Sequence, residues 1–242
     1  MKIKKILSAS MCLFFLTACG EKTDDGNVKP LVVITSPDNP PFEFKDTSEG
    51  GDKVIGFDMD VIYKLGERLG RPIKVIEGEF ASIIPSLQSG RADMAIAEFS
   101  ATEERRKSVD FSDTYYKNTS SLLVLEDSPI ISENDLKGKK LGVQLGSTNE
   151  ILGRKLAETN AGLTQISLVK IGDLVQELKV KRLQAILIGD TAALKIAKSM
   201  PGFRVVAVSM AGGELAIVFP KGSSLVIPVN EALKRMQGDV KE

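Results

Sequence analysis

Short apolar, β-branched runs alternate with amphipathic helical segments along most of this chain, and the alternation breaks once near its middle and then restarts. Residues 31–35 (LVVIT) form the first such run. Pro37, Pro40 and Pro41 then force a loop, because proline supplies no amide donor to a sheet. Over 59–69 the apolar residues Met59, Ile62, Tyr63, Leu65 and Leu69 recur at helical spacing, and Gly70 follows as a suitable C-cap. The pattern next predicts a strand over 73–76, a helix over 81–89 closed by Gly90, and a strand over 94–97. A β-α-β-α-β order argues for a largely parallel α/β sheet, whose ligands sit beyond the carboxyl ends of its strands.

A buried-looking strand at 122–125 leads into a polar loop with Pro129, and a second unit begins. Strands are expected at 140–145, 166–171 and 185–189, helices at 148–159, 173–181 and 191–199, and two last strands at 203–208 and 214–219. The Ala211-Gly212-Gly213 segment separates the final pair. Two α/β lobes joined by more than one crossing leave a cleft between them, a common seat for a small ligand, and a hinge can close it.

The ends of the chain restrict its chemistry. Lys2, Lys4 and Lys5, an apolar stretch over 6–16 and small residues before Cys19 have the order of a secretory signal at 1–18. The stretch is too short to cross roughly 30 Å of hydrocarbon as a helix. Leu16-Thr17-Ala18-Cys19 resembles the bacterial lipobox, which implies cleavage before Cys19 and lipid attachment to it. More than one acyl chain gives a lasting membrane anchor. Gly20, not Asp, follows Cys19, which leaves the choice of membrane open. Residues 19–29 then read as a flexible polar linker. Loss of the three signal lysines takes the 32 basic side chains to 29 against 32 acidic ones, which gives no reason to expect nucleic acid as a partner. Cys12 leaves with the signal, Cys19 carries the lipid, and the chain has no His. Cysteine nucleophiles, His-based triads and ordinary zinc sites drop out, and neither metal nor cofactor is expected.

Arg105 follows Thr102, a natural helix N-cap, and so stands in a first helical turn that favours an anion. A guanidinium pairs a carboxylate through two parallel hydrogen bonds and stays charged when desolvated. The alternative is a solvated helix start, with Arg105 no different from Arg106 and Lys107. Asp190, after the apolar run AILIG, is placed either to accept an ammonium or to cap the helix that follows. Phe80 reads equally as a ligand wall or as ordinary core. Asp58 and Asp60 are assigned to the first turn of a helix.

Several segments carry a family resemblance: Pro40-Pro41-Phe42-Glu43-Phe44, Gly56-Phe57-Asp58-Met59-Asp60, residues 80–87 (FASIIPSL), Gly90-Arg91-Ala92-Asp93, residues 100–105 (SATEER), residues 110–116 (DFSDTYY), and the stretch from Leu136 to Thr148. In order and spacing the chain resembles the polar amino-acid-binding proteins of ABC importers, from about Leu31 to beyond Phe219. The resemblance implies a fold of the periplasmic binding protein type II kind, with two Rossmann-like lobes joined by two hinge strands. Lobe 1 is then expected at 30–122 plus 215–242 and lobe 2 at 123–214. It also implies that Arg105 grips the α-carboxylate of the ligand and Asp190 its α-amino group. Ser100, Thr102 and Thr148 join them around the backbone of the ligand, and Phe80 flanks its side chain. The expected partners are a free amino acid and an ABC permease, the protein being a monomer at the periplasm or cell surface.

Two departures from the family bear on the ligand. Asn39 stands where relatives usually carry an aromatic residue, so a stacking lid is in doubt. Glu98 stands where they carry Gly or Ser. If Arg105 and Asp190 neutralise the backbone charges of the ligand, Glu98 is an extra carboxylate that points to a cationic side chain, arginine first, then lysine or ornithine. The alternative is a Glu98 that faces solvent or pairs with a neighbouring cation. The resemblance further implies a C-terminal stretch ending near a Lys-Trp pair, whereas this sequence stops at Glu242 without a Trp, so an incomplete lobe 1 or a naturally shortened terminus is expected. Enzymes and receptor-coupled sensors use the same fold, and an enzyme would need a poised general acid, for which only Glu98 is available.

Overall fold

The computed structural model describes residues 28–48, 51–209 and 213–239. The signal segment, Cys19 and all but the end of the linker lie outside the described residues. The chain runs β1 (Leu31–Thr35), β2 (Asp38–Asn39), β3 (Glu43–Asp46), β4 (Lys53–Ile55), α1 (Phe57–Leu69), β5 (Ile73–Glu77), α2 (Phe80–Gln88), β6 (Met94–Ala95), α3 (Glu103–Arg106), β7 (Val109–Phe111) and β8 (Tyr116–Asn118). It continues with β9 (Ser120–Leu125), β10 (Lys140–Gln144), α4 (Thr148–Thr159), β11 (Thr164–Leu168), α5 (Ile171–Lys179), β12 (Ala185–Gly189), α6 (Asp190–Ser199), β13 (Phe203–Ala207), β14 (Gly213–Leu215), β15 (Val218–Pro220) and α7 (Val226–Asp239).

Two five-stranded sheets organise two lobes, in the orders β5-β1-β6-β15-β7 and β11-β10-β12-β9-β13. In the first, β1 pairs in parallel with β5 and β6, whereas β15, from the far end of the chain, runs antiparallel to β6 and β7. The period-2 alternation of a strand sends neighbouring side chains to opposite faces. Leu31 and Val33 therefore meet Ile62 and Leu65 of α1 and Val229 and Leu233 of α7, while Ile34 meets Ile83 and Leu87 of α2. The second sheet repeats the device. Leu123, Ile186 and Ile188 pack under α5 and α6, and Leu122, Val143 and Leu187 pack under Leu156 of α4. Between the sheets the chain crosses at β8 and returns at β14, and these two strands pair antiparallel with Asn118 opposite Gly213.

The structure corrects three expected elements. The strand expected at 166–171 is β11, Thr164–Leu168, and Ile171 is instead the first residue of α5, so the helix expected at 173–181 also starts two residues early. The single strand expected at 214–219 is two. Its first half belongs to β14 and its second to β15, in different sheets, because the Ala216 amide turns to the Phe99 carbonyl and the Ile217 amide to Ser112 Oγ. The N-terminal loop after Pro37 contains a small antiparallel sheet, β2-β3-β4, that the prolines conceal.

Candidate functional site

A cavity of about 270 Å³ lies where the two lobes meet, and it gathers most of the residues singled out above. Asn39, Phe80, Glu98, Ser100, Thr102, Arg105 and Thr148 all line it. Asp190 does not, although its neighbour Gly189 does. As the first residue of α6, Asp190 donates its backbone N–H to the Thr119 carbonyl at 2.8 Å, and its carboxylate accepts from Thr191 Oγ1 at 3.3 Å.

Thr102 caps the short helix α3, its hydroxyl accepting the Arg105 N–H at 3.3 Å. That turn directs the Arg105 side chain into the cleft. The guanidinium lies over Phe99, 4.8 Å from the ring centroid, and 5.6 Å from that of Phe80, and the two rings stack on each other at 4.4 Å. Phe80 is thus both core and wall. Nη1 donates to the Ser100 carbonyl at 2.9 Å and Nη2 to the Gly146 carbonyl of the other lobe at 3.1 Å. Those two bonds use two of the five N–H donors of the guanidinium. Burial lowers its pKa to about 10, which still leaves it cationic at neutral pH. Facing it, Ser147 caps α4, so that Thr148 opens a helix N-terminus beside the same space.

Glu98 occupies the opposite end of the cavity. Its backbone has φ 49°, the left-handed region that a side-chain-bearing residue adopts at a cost. The turn is held from outside: the Glu98 N–H donates to Asp58 Oδ2 at 3.1 Å, and Tyr115 Oη donates to Asp58 Oδ1 at 2.9 Å. Its carboxylate accepts from Asn39 Nδ2 and Asn118 Nδ2. No cation pairs with Glu98 among the ion pairs of the described residues. The readings of Glu98 as solvent-facing, or as the partner of a nearby Lys or Arg, are therefore corrected.

Three carboxyls crowd this end. Burial, and then the charges of Asp58 and Glu98, hold Glu43 well above the usual carboxylate range, and it shares a hydrogen bond with Asp58. Asp58 is raised to about 6 by burial, against the bonds it accepts from Glu43, the Glu98 amide and Tyr115. Glu98 is raised to about 7, first by burial and further by the charges of Asp58 and Asp190, against the two asparagine bonds. The opposite effects of their shared hydrogen bond, raising Glu43 and lowering Asp58, make Glu43 the donor to Asp58, and Glu98 is poised between its two states near neutral pH. Asn118, Glu43 and Gln144 also line the cavity and escaped sequence reasoning. The only cue to Asn118 was a polar Asn118-Thr119-Ser120 run before an apolar strand.

Residues 31–241 match the family model of the bacterial extracellular solute-binding proteins, family 3. The chain belongs to this family. It is 38% identical over 237 residues to the arginine-binding extracellular protein ArtP of Bacillus subtilis (strain 168), covering 96% of this chain and 91% of that one. Among solved structures, an ancestral arginine-binding protein bound to arginine superposes with a TM-score of 0.82 at 38% identity, covering 87% of this chain and 93% of that one. An ancestral arginine-binding protein bound to glutamine gives 0.81 at the same 38% identity, covering 87% and 92%. As a member of the family, the chain is a solute-binding protein and not an enzyme. The cleft between its lobes therefore holds its solute without transforming it.

Proposed function

We propose that this protein captures a cationic amino acid, arginine before lysine or ornithine, in the inter-lobe cavity and delivers it to an ABC permease. The observation that carries the reading is Glu98: a half-buried carboxylate lining the cavity, held by two amides and paired with no cation among the described residues. Leaving such a group without a counter-charge is costly, so a ligand that brings one is selected over a neutral isostere. Arg105 takes the α-carboxylate, joined by the hydroxyls of Ser100, Thr102 and Thr148, and Asp190, one residue beyond the cavity-lining Gly189 at the N-terminus of α6, is the acceptor assigned to the α-ammonium. The arginine-binding relatives support the choice of side chain.

Closure on the ligand follows from its contacts with both lobes, since a ligand shifts an equilibrium by its differential affinity for the two states. The paired crossing strands β8 and β14 serve as the hinge, and the lobes divide near 122 and 215. Calorimetric titration with arginine, lysine, glutamine and glutamate is expected to rank arginine first and glutamate last. Glutamine binding more tightly than arginine would remove the cationic-ligand reading. We further propose that Cys19 carries the lipid that tethers a monomeric protein at the membrane, where the raised local concentration favours meeting the permease. Cells fed radiolabelled palmitate are expected to label the protein, and Cys19→Ser is expected to abolish the label; equal labelling of the variant would exclude this anchor.

A further inference from the structure

One side chain of the first lobe reaches the second at the margin of the ligand cavity, through Gln144 and Ile171, which both line it. Asp38, on β2, is not among the residues lining the cavity. Its Oδ2 accepts the backbone N–H of Ile171 at 2.9 Å and Nε2 of Gln144 at 3.1 Å, while Oδ1 accepts from Ser36 Oγ at 3.1 Å. Ile171 opens α5, and Lys170, at the N-cap position of that helix, provides no side-chain cap. The first amides of a helix need acceptors from elsewhere, and the helix dipole favours an anion there. The carboxylate of the other lobe fills that role. Gln144 is itself oriented for the contact, because its Nε2 also donates to the Val169 carbonyl at 3.3 Å. The neighbouring Asn39 turns the other way and donates to Glu98 inside the cavity. Two adjacent residues therefore hold a contact between the lobes at the cavity margin and the ligand-side carboxylate together.

We infer that Asp38 is a lobe-closing residue, which docks on the N-terminus of α5 and sets the balance between open and closed forms, and with it the affinity for every ligand alike. The inference about affinity rests on the closure proposed above, but the contact itself needs no ligand. The apparent dissociation constant scales inversely with the fraction of protein already in the binding-competent form. Hydrogen bonds to a charged acceptor between the lobes therefore enter the affinity as a factor common to all ligands, about tenfold when both are lost.

The test has two independent arms, each on Asp38→Ala and on Asp38→Asn, which keeps one acceptor oxygen; thermal melts of both variants establish that they fold. In small-angle scattering without ligand, Asp38→Ala is expected to give a larger radius of gyration than the parent, with Asp38→Asn between them. An unchanged radius would overturn the inference even if the protein bound no amino acid at all. In binding kinetics, arginine and glutamine are expected to weaken by the same factor in each variant, through faster dissociation. A loss confined to one of the two ligands would assign Asp38 to ligand recognition instead and overturn the lobe-closing role.

Discussion

Arg105→Ala is expected to abolish measurable amino-acid binding while leaving the protein folded. Its guanidinium is buried against Phe99 and Phe80, with two donors committed to carbonyls on opposite sides of the cleft. That leaves three of its five N–H groups for the α-carboxylate of the ligand proposed above. Removing the cation leaves that carboxylate desolvated without a partner, the case in which breaking a buried pair costs about 3–5 kcal/mol. On the affinity scale this is on the order of a 10²- to 10³-fold loss or more. Arg105→Lys keeps the charge but loses both the planar fork and the face-on contact with the rings, so it is expected to recover only part of the binding. Calorimetry with arginine and with glutamine checks both variants. Since every free amino acid carries the α-carboxylate, both ligands should fail together, and an Arg105→Ala protein that bound either within a few-fold of the parent would remove Arg105 from the site.

How legible this site was depended on how local its signals are. Thr102 and Arg105 are three residues apart, and the capping bond between them is a local rule, so the helix start followed from the sequence. The direction of the Arg105 side chain was open between solvent and cleft, and only the family resemblance favoured the cleft. The alternation of strands and helices was likewise local, and the two sheets obey it. Where local rules were silent, the reading slipped. Ile171 could end a strand or start a helix on apolar character alone, and the cue that would have decided, a capping Ser, Thr, Asp or Asn, is absent because Asp38 supplies the acceptor from 133 residues away. The run Leu215-Ala216-Ile217-Val218-Phe219 is uniformly apolar, so nothing in it marks the change of sheet. Glu98 was recognisable as out of place, but its two amide partners lie 59 and 20 residues away, and its environment emerges only when the lobes are assembled.

Glu98→Gln is expected to turn an arginine binder into a protein that no longer prefers arginine to glutamine. The substitution is nearly isosteric and removes only the negative charge that faces the proposed guanidinium. A buried charged partner of this kind is worth about 2–3 kcal/mol over a neutral acceptor, so arginine affinity should drop roughly 30- to 100-fold while glutamine affinity stays within a few-fold. The pH dependence gives a second signature. In the empty site Glu98 has its pKa raised to about 7, chiefly by burial, and a cationic ligand binds its ionised form. Arginine affinity should therefore hold above pH 7 and fall below it, approaching tenfold per unit as one proton must be displaced for each ligand bound. The empty protein carries the reverse linkage. Its folded state holds a Glu98 proton that an unfolded chain, near the ordinary 4.5, has already lost, so this contribution to stability is fully present below about 4.5 and is lost as pH rises to about 7. Asp58, raised to about 6, adds in the same direction just below. Saturating arginine, by holding Glu98 ionised, should erase the Glu98 part of that slope in denaturant titrations at pH 5 and pH 7, and Glu98→Gln should erase it without ligand. An arginine affinity that stayed flat from pH 5 to pH 8 in the parent protein would mean that the proton on Glu98 and the charge of the ligand do not share one site.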